Sequence, residues 1–400
     1  MSAQGPAVAA AATPPPTGPR LYFVDYLRAG LVSLVILHHT AITYGGAGSF
    51  YYTEPATDPV AALLLTLFTN FNQAWFLGAF FLVSGYFSPG SFDRKGARRF
   101  VKDRLVRLGI PLAVFFFVMN PLTVYIAFYH MTATQLVQQG ITPPMGLDLT
   151  FISQSVGIGP LWFVEMLLMF EFGYVLWRVA AGRIRKADEA GIRRPLPSYR
   201  KVGAFIVVLA LSAYLFRIVV PINAQVLGFP SLFDLPQYLS FFIVGTVAAR
   251  GDWLVKMPDA MAKRFFRIAL IASATLLPLS IIGTGVSSLG WGSVYGYGSV
   301  SSAIFASWDS TFAVGMTMFA ISFFRKRFNA RGRLWSLAAK NFYAAYFLQA
   351  TVIVTVSALV LYQVQLESLL KFALAASIIL TLTWALAYAI RKIPYVDRVL

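Results

Sequence analysis

Ten apolar runs punctuate the chain, at approximately 24–44, 60–88, 108–130, 159–179, 202–222, 235–250, 267–285, 303–324, 342–363 and 371–390. A helix needs roughly 20 apolar residues to cross a hydrocarbon core, so each run is a candidate span. Composition leaves no soluble alternative. Hydrophobic residues make up 58% of the 400 and charged residues 12%, against roughly 45–50% and 25% in a soluble domain. The expected architecture is all-α: a polytopic membrane helical bundle of about ten transmembrane helices, forming one integral domain over 21–400. Residues 1–20, rich in Ala and Pro (PAVAAAATPPPTGPR), lack the basic start and apolar centre of a signal peptide and read as a disordered tail.

The formal net charge of +17 would suggest nucleic acid in a soluble protein. Its placement says otherwise. With the N-terminus inside, Arg20 and Arg28, seven cations in 94–107, eight in 178–201, five in 250–267, six in 325–340 and three in 391–398 all fall on one side. These are 31 of the 33 Lys and Arg residues; Arg217 and Lys371 are the exceptions. The positive-inside rule then puts both termini in the cytoplasm, and membrane lipid replaces nucleic acid as the expected partner. There is no Cys, hence neither a disulfide framework nor a thiolate metal site.

Ionisable groups inside spans cost about 2.5–3.5 kcal/mol on insertion scales and mark candidate functional sites. In the first run, YFVDYLRAGLVSLVILHHTAITYG, Asp25, Arg28 and His39 share one helical face, because 11 steps of about 100° return His39 to within about 20° of Arg28. His38 points about 100° away. Eleven residues rise roughly 16 Å, which sets Arg28 at the cytoplasmic rim and His39 beyond mid-membrane. Imidazole titrates near neutrality, so it is suited to take a proton from an attacking hydroxyl and release it later. A histidine hydrogen-bonded in helix packing is the competing reading.

Glu165 in PLWFVEMLLMFEF, Asp309 in ASWDSTFAVGM, Arg217 in AYLFRIVVPIN, and Asn70, Asn72 and Gln73 in FTNFNQAWF fall in the outer half of their runs. A pocket shared with His39 would compensate their burial, and Arg217 with Asp309 makes a natural ion pair. The segment SFDRKGARRFVKDRLVRLGIP reads as a basic loop. Topology control and attraction to anionic lipid account for most of its charge, while Arg104 and Arg107, one helical turn apart, could clamp a phosphate-rich cofactor. The chain has no Walker loop, no GxSxG, no HExxH and no Cys/His cluster, so no metal site is expected.

At these residues the chain resembles the acyltransferase 3 family of bacterial membrane O-acyltransferases. Arg28 and His39, with ten residues between them in FVDYLRAGLVSLVILHH, match the family's most specific element. FNQAWFLGAFFLVSGYF, DRLVRLGIP, PLWFVEMLL, FRIVVPIN, YLSFFIVGTVAARGDWL and the terminal RKIPYVDRVL come after it in the family's order. The resemblance implies transfer of an acyl group, usually acetyl, from cytoplasmic acyl-CoA to a hydroxyl of a carbohydrate or glycolipid at the bacterial inner membrane. Carried over by position, His39 becomes general base or acyl carrier and Arg28 its partner; Asp25, from the shared helical face, and Glu165, from its in-span position, complete the candidate catalytic set. Arg104 and Arg107 match the RxxR element suggested to contact CoA phosphates, and Asn72, Gln73, Trp162, Arg217, Asp309 and Tyr346 are the candidate substrate-pocket residues. Gln349, in NFYAAYFLQATVIV, departs from relatives that often carry histidine there. Tyr343 and Tyr346 match the family's tyrosine pattern, although packing explains them as well. The alternative is a transporter or flippase for a sugar, lipid or anionic metabolite, whose path the same polar residues would line. No duplicated half of the transporter kind is apparent in the sequence.

Overall fold

The computed structural model describes residues 21–129, 149–184, 194–222, 228–282, 296–330 and 332–400, with Ala224, Val226 and Val294. The expected tail at 1–20, and His130, lie outside these residues. The regular structure among them is helical, apart from one isolated bridge between Val226 and Phe229.

The chain runs through α1 (Tyr22–Thr43), α2 (Pro59–Gln73) and α3 (Phe76–Arg104). The helix continues without a break as α4, from Leu105 to Ala127, through π turns at Leu105–Gly109 and Phe115–Met119. Beyond it come α5 (Leu149–Ser155), α6 (Trp162–Ile184), α7 (Tyr199–Val219), α8 (Leu235–Ala249), α9 (Asp259–Ile282), α10 (Val300–Arg327), α11 (Arg333–Thr355, prolonged by a π turn at Val356–Val360) and α12 (Ser368–Ile390). Eight helical segments among the described residues are long and apolar enough to cross a membrane, the first being the 69-residue stretch Pro59–Ala127. Among the described residues, each of the ten apolar runs falls largely on helix. The protein is a multi-pass helical membrane bundle. Its outer surface is greasy where lipid should lie: Val207, Leu211 and Leu215, at four-residue spacing on α7, are 66%, 56% and 52% exposed.

Two sequence boundaries are corrected. The run 60–88 is not one span: the chain breaks at Ala74 and Trp75, where the backbone leaves helical geometry at Trp75 (φ −140°, ψ −31°). Asp58 caps α2 by accepting from the Ala61 N–H at 2.9 Å and lies next to Thr57, whose N–H donates to Ser368 at the start of α12. At the other end of α2, Gln73 reaches Ser231, Asp234 and Tyr238 at the start of α8. Both ends therefore sit at the bundle end away from the basic segments, and α2 lies across that end before α3 descends. The basic segment 91–111 is not a loop either. Gly96 (φ 71°, ψ 167°) makes the reversal in one residue, since only glycine takes that backbone without strain, and helix resumes on both sides.

α1 is the central helix, packed against α11, α2, α10, α12 and α3. The closest approach is between α3 and α8: a Cβ on Gly85 would meet the Phe242 carbonyl oxygen at 2.2 Å, and one on Gly245 the Leu82 oxygen at 2.2 Å. Small residues let backbones meet where apolar lipid gives no hydrophobic drive to association. At the basic end, Asp93 ties α6 and α8 to α3 through Arg178 and Arg250, both at 2.8 Å, and Asp259 holds Arg325 and Lys326. The two exceptional cations are both neutralised. Lys371 pairs with Glu54 at 2.6 Å, and Arg217 contacts Asp234 at 2.6 Å and Asp309 at 2.5 Å.

Candidate active site

The α1 face carrying Asp25, Arg28 and His39 is turned inward. His39 Nδ1 lies 2.9 Å from Gln349 Oε1. An amide oxygen can only accept, so Nδ1 carries the proton and Nε2 keeps a lone pair. Gln349 is fully buried. Phe50, from the loop joining α1 to α2, stacks on the imidazole with centroids 4.7 Å apart and planes at 20°. That loop is pinned: Tyr51 donates to Asn120 on α4, Glu54 takes Lys371, and Thr57 donates to Glu367. Burial pushes the Tyr51 hydroxyl up and keeps it a donor at neutral pH. His38 faces Phe76, at 5.2 Å between centroids, and its Nδ1 is buried without a partner.

Below His39, a cavity of about 470 Å³ opens toward the basic end. Arg28, Arg104, Arg107, Lys340, Arg391 and Arg398 line it against two acids, Glu171 and Asp397. The field inside is therefore strongly positive. Arg28 sits 3.8 Å from Asp25, with its guanidinium over the Phe87 and Phe342 rings at 4.7 and 5.8 Å. Arg104 pairs with Glu171 at 3.0 Å, and Ser88 also donates to Glu171, at 2.8 Å. The Nε atoms of Arg104 and Arg391 and the Tyr343 hydroxyl are buried with no partner. A phosphate-bearing ligand suits these residues: orphaned guanidinium N–H groups face a cavity rich in cations. The deepest lining residue on α11 is Tyr346, which donates to the Pro160 carbonyl; Gln349 is one helical turn further on.

The expected pocket residues divide between two places. Tyr346 lines the basic cavity. Gln73, Arg217 and Asp309 gather instead around Asp234: Arg217 bridges both carboxylates, Tyr238 donates to Asp234 at 3.2 Å, Gln73 donates to Tyr238 at 3.1 Å, and Trp162 packs on the Tyr238 ring at 5.9 Å. Their burial is compensated within this cluster, whereas the contacts of His39 are Gln349, Phe50 and His38. Asn72 is buried with an unpartnered Nδ2, as is Oε2 of Glu165 in the first turn of α6. Sequence reasoning missed Glu171, Lys340, Arg391 and Arg398. Glu171 stood six residues beyond Glu165 in the same motif, and only the packing of α3 on α6 shows that it, rather than Glu165, meets Arg104.

With this geometry in view, a family profile described as an acyltransferase domain matches residues 21–388. The chain belongs to the acyltransferase 3 family. Similar proteins include Glucans biosynthesis protein C of Salmonella paratyphi B (strain ATCC BAA-1250 / SPB7), of Salmonella heidelberg (strain SL476) and of Salmonella agona (strain SL483). Each is 38% identical over 94 residues, 24% of this chain and 23% of the relative. The match thus spans about a quarter of the length of these curated relatives. No solved structure matches. The matched residues include the His39 helix and the parts of the basic cavity on α1, α3, α4, α6 and α11, while Arg391, Asp397 and Arg398 lie beyond residue 388.

Proposed function

We propose that the protein is an integral membrane O-acyltransferase that takes an acyl group, acetyl in the simplest case, from cytoplasmic acyl-CoA and places it on a hydroxyl of a cell-envelope carbohydrate or glycolipid. The relatives' name, Glucans biosynthesis protein C, favours a glucan as the acceptor. In this reading the basic end faces the cytoplasm of a bacterial inner membrane. The observation that carries it is the position of His39, held through Nδ1 by Gln349 one turn beyond the deep end of a cation-lined cavity.

Bound acyl-CoA would supply an activated thioester. Arg104, Arg107, Arg391 and Lys340 bind its phosphates, the arginines as bidentate donors. Gln349 fixes the tautomer that leaves His39 Nε2 free as a base, an orienting role needed for general-base catalysis. His39 Nε2 takes the proton from the acceptor hydroxyl while the oxygen–carbonyl bond forms and the carbon–sulfur bond breaks, then returns it to the departing thiolate. Phe50 excludes water from the imidazole on the far side. His39→Ala tests this: acceptor-dependent CoA release by the purified variant should fall to background with membrane abundance unchanged, and persisting release would remove His39 from the mechanism.

A further inference from the structure

A second cavity, of about 260 Å³, lies away from the first, between α7, α8 and α10 and the start of α9. Its walls include Phe205, Phe241, Val314 and Met318, and its lining is apolar except for Lys201, Trp253 and Thr317. An apolar cavity offers water no hydrogen-bond partners, so its natural occupant is hydrocarbon. Depth identifies the source. Lys201 and Phe205 lie in the first two turns of α7, Phe241 and Val244 in the middle of α8 with Trp253 and Leu254 just past its end, Met261 at the start of α9, and Ile321 near the end of α10. The lining thus runs from mid-helix to the helix ends that carry the basic segments, so the cavity sits within the leaflet nearest that face.

Its rim at the basic face is held by fixed contacts. Trp253 Nε1 donates to the Arg194 carbonyl at 3.0 Å, and the Arg194 N–H to the Arg250 carbonyl at 3.4 Å. A Cβ on Gly251 would stand 2.1 Å from that same Arg194 oxygen, so the two segments are locked against each other beside the opening. Lys201 is exposed at the mouth, with Arg200 beside it in sequence and Arg264 over the Tyr199 ring at 5.2 Å. A greasy slot under a cationic rim matches a lipid with a negative head.

We infer that this cavity takes one acyl chain of an anionic phospholipid, with the phosphate against Lys201. The test is bromine quenching of tryptophan fluorescence in the purified full chain, titrated in detergent with phosphatidylglycerol or phosphatidylcholine bearing brominated acyl chains. Of the eight tryptophans, Trp253 lines the cavity, and subtracting the Trp253→Phe signal isolates it. Phosphatidylglycerol should quench this component at about fivefold lower concentration than phosphatidylcholine, the worth of one lysine at an anionic surface. Lys201→Glu, an exposed substitution that leaves the packing alone, should bring the two curves together, and Val314→Phe should weaken both by filling the slot. Equal quenching by the two lipids in the unaltered protein overturns the inference. So does a phosphatidylglycerol preference that survives Lys201→Glu.

Discussion

Gln349→Leu separates orientation of the imidazole from binding of the donor. The leucine nearly fills the glutamine's volume at a site with no solvent exposure, so no large void forms. It removes the acceptor 2.9 Å from His39 Nδ1 and with it the constraint on which ring nitrogen holds the proton. That bond favours the reactive tautomer by about 1–3 kcal/mol, and losing the preference lowers the rate about 5- to 160-fold at about 1.4 kcal/mol per decade. Because Gln349 does not line the basic cavity, the loss should fall on kcat and leave KM for acyl-CoA unchanged. Stability should hardly move, since the substitution also deletes the buried and unpartnered Nε2 of Gln349. Gln349→His, whose unprotonated ring nitrogen can accept from Nδ1–H, should restore most of the rate. The assay is thiol release from acetyl-CoA by purified protein with acceptor present. A Leu variant that folds normally and keeps kcat within about twofold of the parent would refute the orienting role.

Arg217→Met strands Asp234 and Asp309 together in the core and should destabilise the protein by about 3–5 kcal/mol, seen as early thermal unfolding in detergent; adding Asp234→Asn and Asp309→Asn should recover most of it. Arg104→Gln and Arg391→Gln should each weaken acetyl-CoA binding about tenfold or more in calorimetry, the worth of one charge-assisted hydrogen bond. Phe50→Ala uncovers the far side of His39 and should raise acceptor-independent hydrolysis of acetyl-CoA, with water as nucleophile; unchanged background hydrolysis counts against the water-excluding role.

Helix content and the segregation of charge were legible because each rests on a local pattern: apolar runs of sufficient length, and cations crowded at alternate connections. The shared face of Arg28 and His39 was legible for the same reason, since one periodic helix carries both. What required the structure was every contact between helices. Glu165 and Glu171 look alike in PLWFVEMLLMFEF, but only Glu171 meets Arg104. The pairing of Arg217 with Asp309 was legible from their burial in apolar runs, but its third member, Asp234, comes from a different segment and was not. The partner of His39 comes from 310 residues away, a distance no periodicity reaches. The lateral course of α2 was hidden because FTNFNQAWF interrupts the apolar run with three amides, which read as pocket candidates rather than as the mark of a break in the helix.

The course of α4 shows how backbone irregularity can serve both ends of this site. Its two π turns close with five-residue bonds, from the Ile110 N–H to the Leu105 carbonyl and from the Asn120 N–H to the Phe115 carbonyl. Each closes immediately before a proline, Pro111 and Pro121, which has no N–H to continue the ordinary ladder. A π turn absorbs one extra residue and rotates the remainder of the helix back by about 100°. Arg104 and Asn120 are 16 residues apart; in an uninterrupted α-helix they would stand about 160° apart, on opposite sides. With two residues absorbed the separation falls to about 40°, so both can face inward. One faces the basic cavity with its Nε orphaned, and the other receives Tyr51 from the loop whose Phe50 covers His39. The prolines in LGIP and MNPL therefore allow a single helix to present an arginine of the basic cavity at one end and the anchor of the covering loop at the other.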